Sequence, residues 1–233
     1  QWSRVGKNLP GYQAIVVISA HWQTDGTHVT DAPKQLIIYD FYGFPDELYK
    51  VTYDAKGDPK VASELARTLQ EYEAQLDSQW GLDHGTWSVL KHLAPEPTTP
   101  VLQISLDFNQ SLEELTKMFA QLKPFRKKGV VFIGSGNIVH NLRMVNWDKG
   151  APYDWAIEFD QLSAEAIQKH DLRELSNPTS ISRTAALAIP TDEHYRPMLA
   201  TMSLLESSES IQFFNDVIDM GSVSMRGFVG GTR

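Results

Sequence analysis

Ala14-Ile15-Val16-Val17-Ile18-Ser19-Ala20-His21-Trp22 is the stretch on which the reading of this chain turns. Its first seven residues carry no charge and do not alternate between polar and apolar. A run of that kind is a strand buried on both faces, as in a parallel sheet covered by helices. Ligands of such sheets sit beyond the carboxyl ends of the strands. His21 follows directly and so occupies a position where chemistry is expected.

Working outward, residues 130–134 read as a second buried strand, with Ser135-Gly136-Asn137 as its turn. Residues 35–39 and 100–106 are predicted strands, as are 211–214 and 222–229 late in the chain. Residues 59–76 are predicted helical, with apolar side chains at Val61, Leu65, Leu69 and Tyr72. Ser111-Leu112-Glu113-Glu114 fits a capping box opening a helix to residue 122. Further helices are predicted at 152–170 and at 191–205, the latter capped by Thr191 or Asp192. Residues 41–59 hold aromatics, Gly and Pro, and should form a long loop. Residues 176–190 match no element. Strands alternating with helices imply an α/β fold. Its centre is a mostly parallel mixed sheet covered by helices on both faces. One catalytic domain over residues 1–233 is expected.

The 233 residues carry a net charge of −8 and contain no cysteine. Disulfides, thiolate metal sites and a Cys nucleophile are therefore excluded. Any metal must be held by His, carboxylate, carbonyl or water. The acidic balance argues against nucleic acid as a partner. The basic run at 123–128 reads as a solvated helix end ahead of a strand. No apolar run approaches the roughly 20 residues that cross a bilayer, so no membrane partner is expected. The chain opens on Gln1 and Trp2 without an apolar signal core, so a cytoplasmic place and some preceding segment are expected.

Seven histidines are present. His21 and His140 follow buried strands. His84 lies in the Gly-bearing turn Asp83-His84-Gly85, and His194 in the first turn of a predicted helix. His28, His92 and His170 have no such punctuation and read as surface or packing residues. A lone His at an element end is usually a hydrogen-bonded structural residue, but four of them raise the joint case for a site. Their spacing fits neither a zinc finger nor a His-Glu-x-x-His helix. There is no nucleophile elbow and no P-loop, and Gly134-Ser135-Gly136-Asn137 lacks the third Gly of a dinucleotide fingerprint.

Five segments occur in order: Ser19-Ala20-His21-Trp22, Tyr39-Asp40-Phe41-Tyr42-Gly43-Phe44-Pro45, Leu82-Asp83-His84-Gly85-Thr86-Trp87, Ser135-Gly136-Asn137-Ile138-Val139-His140-Asn141-Leu142 and Glu193-His194-Tyr195. Together they resemble the DOPA-type extradiol ring-cleavage dioxygenases of the class III extradiol superfamily. The resemblance implies a non-haem Fe(II) enzyme, with Zn(II) able to occupy the same site. It implies a catechol substrate, such as L-DOPA, and O₂. His21 and His194 match metal-ligand positions. His140 matches a metal-proximal His, either a ligand or the acid/base, and His84 a second active-site His. Family members carry a Gly-His-Gly-Ser-Pro segment upstream of the position of His21, and its His is a ligand. The present chain begins after that point, so it is expected to lack an N-terminal strand and the first ligand. Tyr39 stands where some relatives have His.

Extradiol cleavage suits these residues. A facial set of three protein ligands leaves positions open on a metal, and neutral imidazoles preserve its charge. A free His can take and return a proton, having an unperturbed pKa of about 6.5. That role falls to His140 first and His84 second. Asp83 is expected to orient His84, and Asn141 to hydrogen-bond ligand or substrate. Trp22, Tyr42, Phe44 and Trp87 are expected to wall an aromatic pocket, plain core packing being their alternative. Two rival readings stay open: a non-catalytic scaffold relative, and a zinc-dependent hydrolase with His140 or His84 as base.

Overall fold

The Ala14–Ser19 strand is the middle of a three-stranded parallel sheet. Val101–Gln103 lies on one side and Val130–Ser135 on the other. The computed structural model describes residues 1–8, 12–148 and 150–231. Val16, Val17 and Ile18 have no exposed surface, which is why this strand tolerates no polar alternation. The sheet is flanked by helices. Helix His84–Leu93 packs on the central strand and on Val130–Ser135. It buries Trp87, Leu90 and Leu93, each stabilising the core by about 1.5–3 kcal/mol. Helix Trp2–Asn8, unforeseen in the sequence, packs against the same helix, with Trp2 and Val5 on the core cluster.

Two further parallel pairs, Gln23–Thr24 with Leu106–Asp107 and His28–Thr30 with Gln75–Asp77, extend the α/β character. The chain divides into two compact units, Gln1–Asn109 with Gln121–Ser135, and Gln110–Ala120 with Gly136–Arg233. In the second unit, helix Leu112–Ala120 packs on helix Arg196–Ser203. The predicted capping box is present: Glu114 N–H donates to Ser111 Oγ (3.2 Å) and Ser111 N–H to Glu114 Oε2 (2.9 Å). Helix Asp154–Gln168 packs on the strand Val223–Ser224, and Ile211–Phe214 forms an antiparallel ladder with Gly227–Gly230.

Several elements differ from the sequence reading. The strand predicted at 100–106 is Val101–Gln103 and Leu106–Asp107, and that at 222–229 is Val223–Ser224 and Gly227–Gly230, each piece with its own partner. Residues 35–39 form a single bridge, Ile37 to Leu82, and no ladder, because Gln35 N–H donates to the Ala55 carbonyl while Ile38 N–H donates to the Leu82 carbonyl. The helix predicted at 59–76 is Pro59–Thr68. The chain then turns through Glu73, in the left-handed region at φ 53, into the strand Gln75–Asp77. The helix predicted at 191–205 begins only at Arg196 and has no side-chain cap. Asp192 instead holds Arg196 through both carboxylate oxygens. Residues 176–190 contain the short helices Pro178–Ile181 and Ala185–Ala188. No helix among the described residues is long and apolar enough to cross a membrane.

Candidate active site

In the first unit the central strand hands over to His21 through a chain of buried hydrogen bonds. Ala20 N–H donates to the Ser135 carbonyl (3.0 Å), and His21 N–H to Ser19 Oγ (3.2 Å). Ser19 Oγ donates to Asp83 Oδ1 (2.7 Å), which also accepts from Thr86 N–H as the cap of helix His84–Leu93. One buried serine–aspartate bond thus ties the strand end bearing His21 to the helix start bearing His84. Gly85 is tightly enclosed here. A Cβ on it would lie 2.7 Å from Ser19 Oγ and 2.8 Å from His21 Cδ2.

Asp83 has no exposed surface, and its Oδ2 meets no partner among the described residues. Burial pushes its carboxyl up to about 6, against the Ser19 hydroxyl, which favours the charged form. The folded pKa lies above the unfolded value, so the folded state binds the extra proton between them. The stability this supplies is present below pH 4 and lost as pH rises through 6. A shift of about two units corresponds to about 3 kcal/mol. Denaturation of Asp83→Asn beside the parent chain across pH 4–7 should show the parent losing roughly that much relative stability. A flat difference would mean the carboxyl is not held neutral.

His84, the first residue of its helix, is gripped by Asp40 and not by Asp83. Asp40 Oδ1 accepts from His84 N–H (2.7 Å), and Oδ2 lies 2.9 Å from His84 Nδ1. His21 Nδ1 is 3.8 Å from the same carboxylate, and the two imidazole centroids are 4.0 Å apart. Burial raises the Asp40 carboxyl, but the His84 ring and main-chain bonds outweigh it and hold it below the usual carboxylate range. Phe41 stands edge-on to the His84 ring at 5.5 Å. Of the four aromatics expected to wall a pocket, Trp22 is buried and stacked on Trp80 at 5.6 Å, and Trp87 belongs to the core. Phe44 and Tyr42 are exposed, and Phe44 packs on Phe41.

The second unit brings His140 and His194 together. Their rings stack with centroids 3.5 Å apart and 11° between planes. His140 is fixed by its N–H to the Ala188 carbonyl (2.8 Å) and by a bridge to Val223. Asn137 N–H donates to the His194 carbonyl (2.8 Å). A Cβ on Gly136 would come within 2.3 Å of that same carbonyl, so only glycine fits the turn. Glu193 Oε1 lies 3.1 Å from His194 Nδ1 and accepts from Thr191 Oγ1. The His194 contact holds the Glu193 carboxyl down to about 2, against the effect of burial. Burial and then the neighbouring His194 push His140 down to about 4, so its imidazole is neutral at pH 7. Asn141 is buried. Its amide donates to the Leu187 carbonyl and accepts from Arg143 N–H.

Each unit therefore carries two imidazoles and one carboxylate whose ligand-type atoms lie within 4.8 Å of one another: His21, Asp40 and His84, then His140, Glu193 and His194. Donors of nitrogen and oxygen, with a neutral imidazole among them, fit a divalent transition metal. Asp40 and Glu193 had no assigned role in the sequence. Only the adjacency of Glu193 to His194 hinted at a partner, and nothing local marked Asp40. His28, His92 and His170 join neither group; the ring of His170 bonds the Glu209 carbonyl.

Residues 1–224 match the family model for the catalytic LigB subunit of aromatic ring-opening dioxygenase. The chain belongs to the LigB family. It is 37% identical to the 4,5-DOPA dioxygenase extradiol of Escherichia coli K12, over 96% of this chain and 84% of that protein. It is 31% identical to a protein of the same name from Beta vulgaris, over 91% and 80%. A crystal structure of an uncharacterised E. coli K12 protein superposes with a TM-score of 0.86 at 34% identity, covering 97% of this chain and 89% of that one. The DOPA-type extradiol resemblance and the α/β class with a helix-flanked parallel sheet are both borne out. The names of these LigB-family relatives attach dioxygenase activity to the family.

Proposed function

We propose that this LigB-family chain is a non-haem extradiol dioxygenase that opens the ring of a catechol of the L-DOPA type. Membership of the LigB family over residues 1–224 carries the proposal, and the two His–His–carboxylate groups on a cysteine-free chain supply candidate metal donors. In the reaction one carbon–carbon bond beside the hydroxylated carbons breaks, and both atoms of O₂ enter the product. His21 in the first unit, and His194 and His140 in the second, are each proposed as metal-ligating residues, with Fe(II) the proposed ion and Zn(II) an alternative occupant. The ion supplies the positive charge that favours deprotonation of a bound catechol.

The protein supplies the rest. His140, neutral at pH 7, offers a lone pair and no competing charge. His140 first, and His84 second, is proposed to take the catechol proton and return it as the ring opens. Trp22 and Asn141, each one residue beyond a site histidine, are proposed for the substrate-side wall. Glu193 stays ionised beside His194, an arrangement that fixes ring orientation.

Loading the protein with Fe(II) without air, then adding O₂ and catechols including L-DOPA, tests the reading. Oxygen uptake coupled to a new visible absorbance from a conjugated, ring-opened product is expected. Bound Fe(II) with no uptake across the catechol panel overturns the proposal. Ester cleavage that survives exclusion of O₂ would point to a hydrolase instead.

A further inference from the structure

Asp40 engages His84 twice, and both contacts come from one carboxylate. Oδ1 takes the main-chain N–H at 2.7 Å and Oδ2 meets ring Nδ1 at 2.9 Å. The main-chain N–H would otherwise be an orphan donor at the helix start. A ring nitrogen this close to a carboxylate oxygen must carry the hydrogen, because two lone pairs would repel. His84 Nε2 has no hydrogen-bond partner among the described residues. The next residue, Phe41, fixes the same ring from its edge.

We infer that Asp40 is a positioning residue that locks His84 in the Nδ1–H tautomer, so that the neutral ring offers its lone pair only at Nε2. The inference rests on the proposed acid/base role of His84. A general base with its proton on the wrong nitrogen cannot accept from substrate, however well placed the ring. Asp40 would thus act through His84 without touching the catechol. The substitution that separates this from mere support is Asp40→Asn. Its amide oxygen can still accept the main-chain N–H, which keeps the helix start. Its NH₂ then faces Nδ1 as a donor, which selects the opposite tautomer.

The test is a long-range ¹H–¹⁵N correlation spectrum of the full chain with Zn(II) in place of any iron, at a pH where histidines are neutral. His84→Gln assigns the signal. The parent should show Nδ1–H and a bare Nε2, and Asp40→Asn the reverse. In the Fe(II) form kcat should fall by about 10- to 100-fold in Asp40→Asn, with KM nearly unchanged. A parent His84 protonated on Nε2 overturns the inference, and that spectrum decides even if the variant does not fold. An Asp40→Asn ring that keeps the parental tautomer also overturns it. An Nδ1–H parent that consumes no oxygen upholds the tautomer lock and defeats the dioxygenase reading. Oxygen uptake by an Nε2–H parent defeats the lock alone.

Discussion

Replacing His194 with alanine is expected to cut turnover by more than about 100-fold. That exceeds the range for losing a partner one step removed from a metal. Bound metal should fall with it. The ring lost is the one stacked on His140 and bonded to Glu193. Without it Glu193 loses the contact that chiefly holds its carboxyl down, and His140 loses its stacking partner. The fold should persist, because the Asn137 N–H is held by the main-chain carbonyl of residue 194 and not by the ring. Metal content, oxygen uptake and thermal unfolding, measured side by side, separate the two effects. His92→Ala, on the exposed last turn of helix His84–Leu93, is the control. Parental metal content and turnover in His194→Ala would remove that residue from the ligand set.

Asp160→Ala should produce the largest loss of stability. Asp160 and Arg226 form a buried pair, with side chains only 5% and 8% exposed. Arg226 donates to Asp160 Oδ2 from Nε (2.9 Å) and Nη2 (2.6 Å), and Ser224 Oγ donates to Oδ1. Removing the carboxylate leaves the guanidinium buried, with only the exposed Asp216 among the described residues to answer it. Stranding one partner of a buried pair costs about 3–5 kcal/mol. The loss should reach the site as well. Ser224 N–H holds the Val139 carbonyl and its own carbonyl holds the Asn137 amide, so the turn leading to His140 loosens. Chemical denaturation measures the first effect. The double variant Asp160→Leu, Arg226→Met should recover most of it, since two apolar residues leave no charge stranded. A loss under about 1 kcal/mol in Asp160→Ala would show that the pair is not buried in solution.

The legible parts of the sequence were those whose cause is local. The run Ala14-Ile15-Val16-Val17-Ile18-Ser19 reads as a doubly buried strand because nothing in it wants water. Ser111 and Glu114 announce their helix because both halves of the cap lie within four residues. His21, His84 and His140 were recognisable because each lies at or just past an element end beside a turn residue, and His194 because it was read into the first turn of a helix that begins at Arg196. Where the reading failed, the cause lay far along the chain. Residues 35–38 read as a strand from a short apolar run, yet their hydrogen bonds go to Ala55 and Leu82. The helical pattern continued past Thr68, but pairing with His28–Thr30 drew Gln75–Asp77 into a strand.

By itself, then, the sequence determined the layer architecture, the family and the four histidines at element ends. Periodicity, capping and motif order are properties of neighbouring residues. Only the tertiary structure decided what each histidine leans on. It gave His84 to Asp40 and left Asp83 to Ser19 and the helix start. It buried Asp160 with Arg226. Hydrogen-bond and charge partners are chosen by distance in space, and residues 44 or 66 positions apart acquire that distance only when the chain folds.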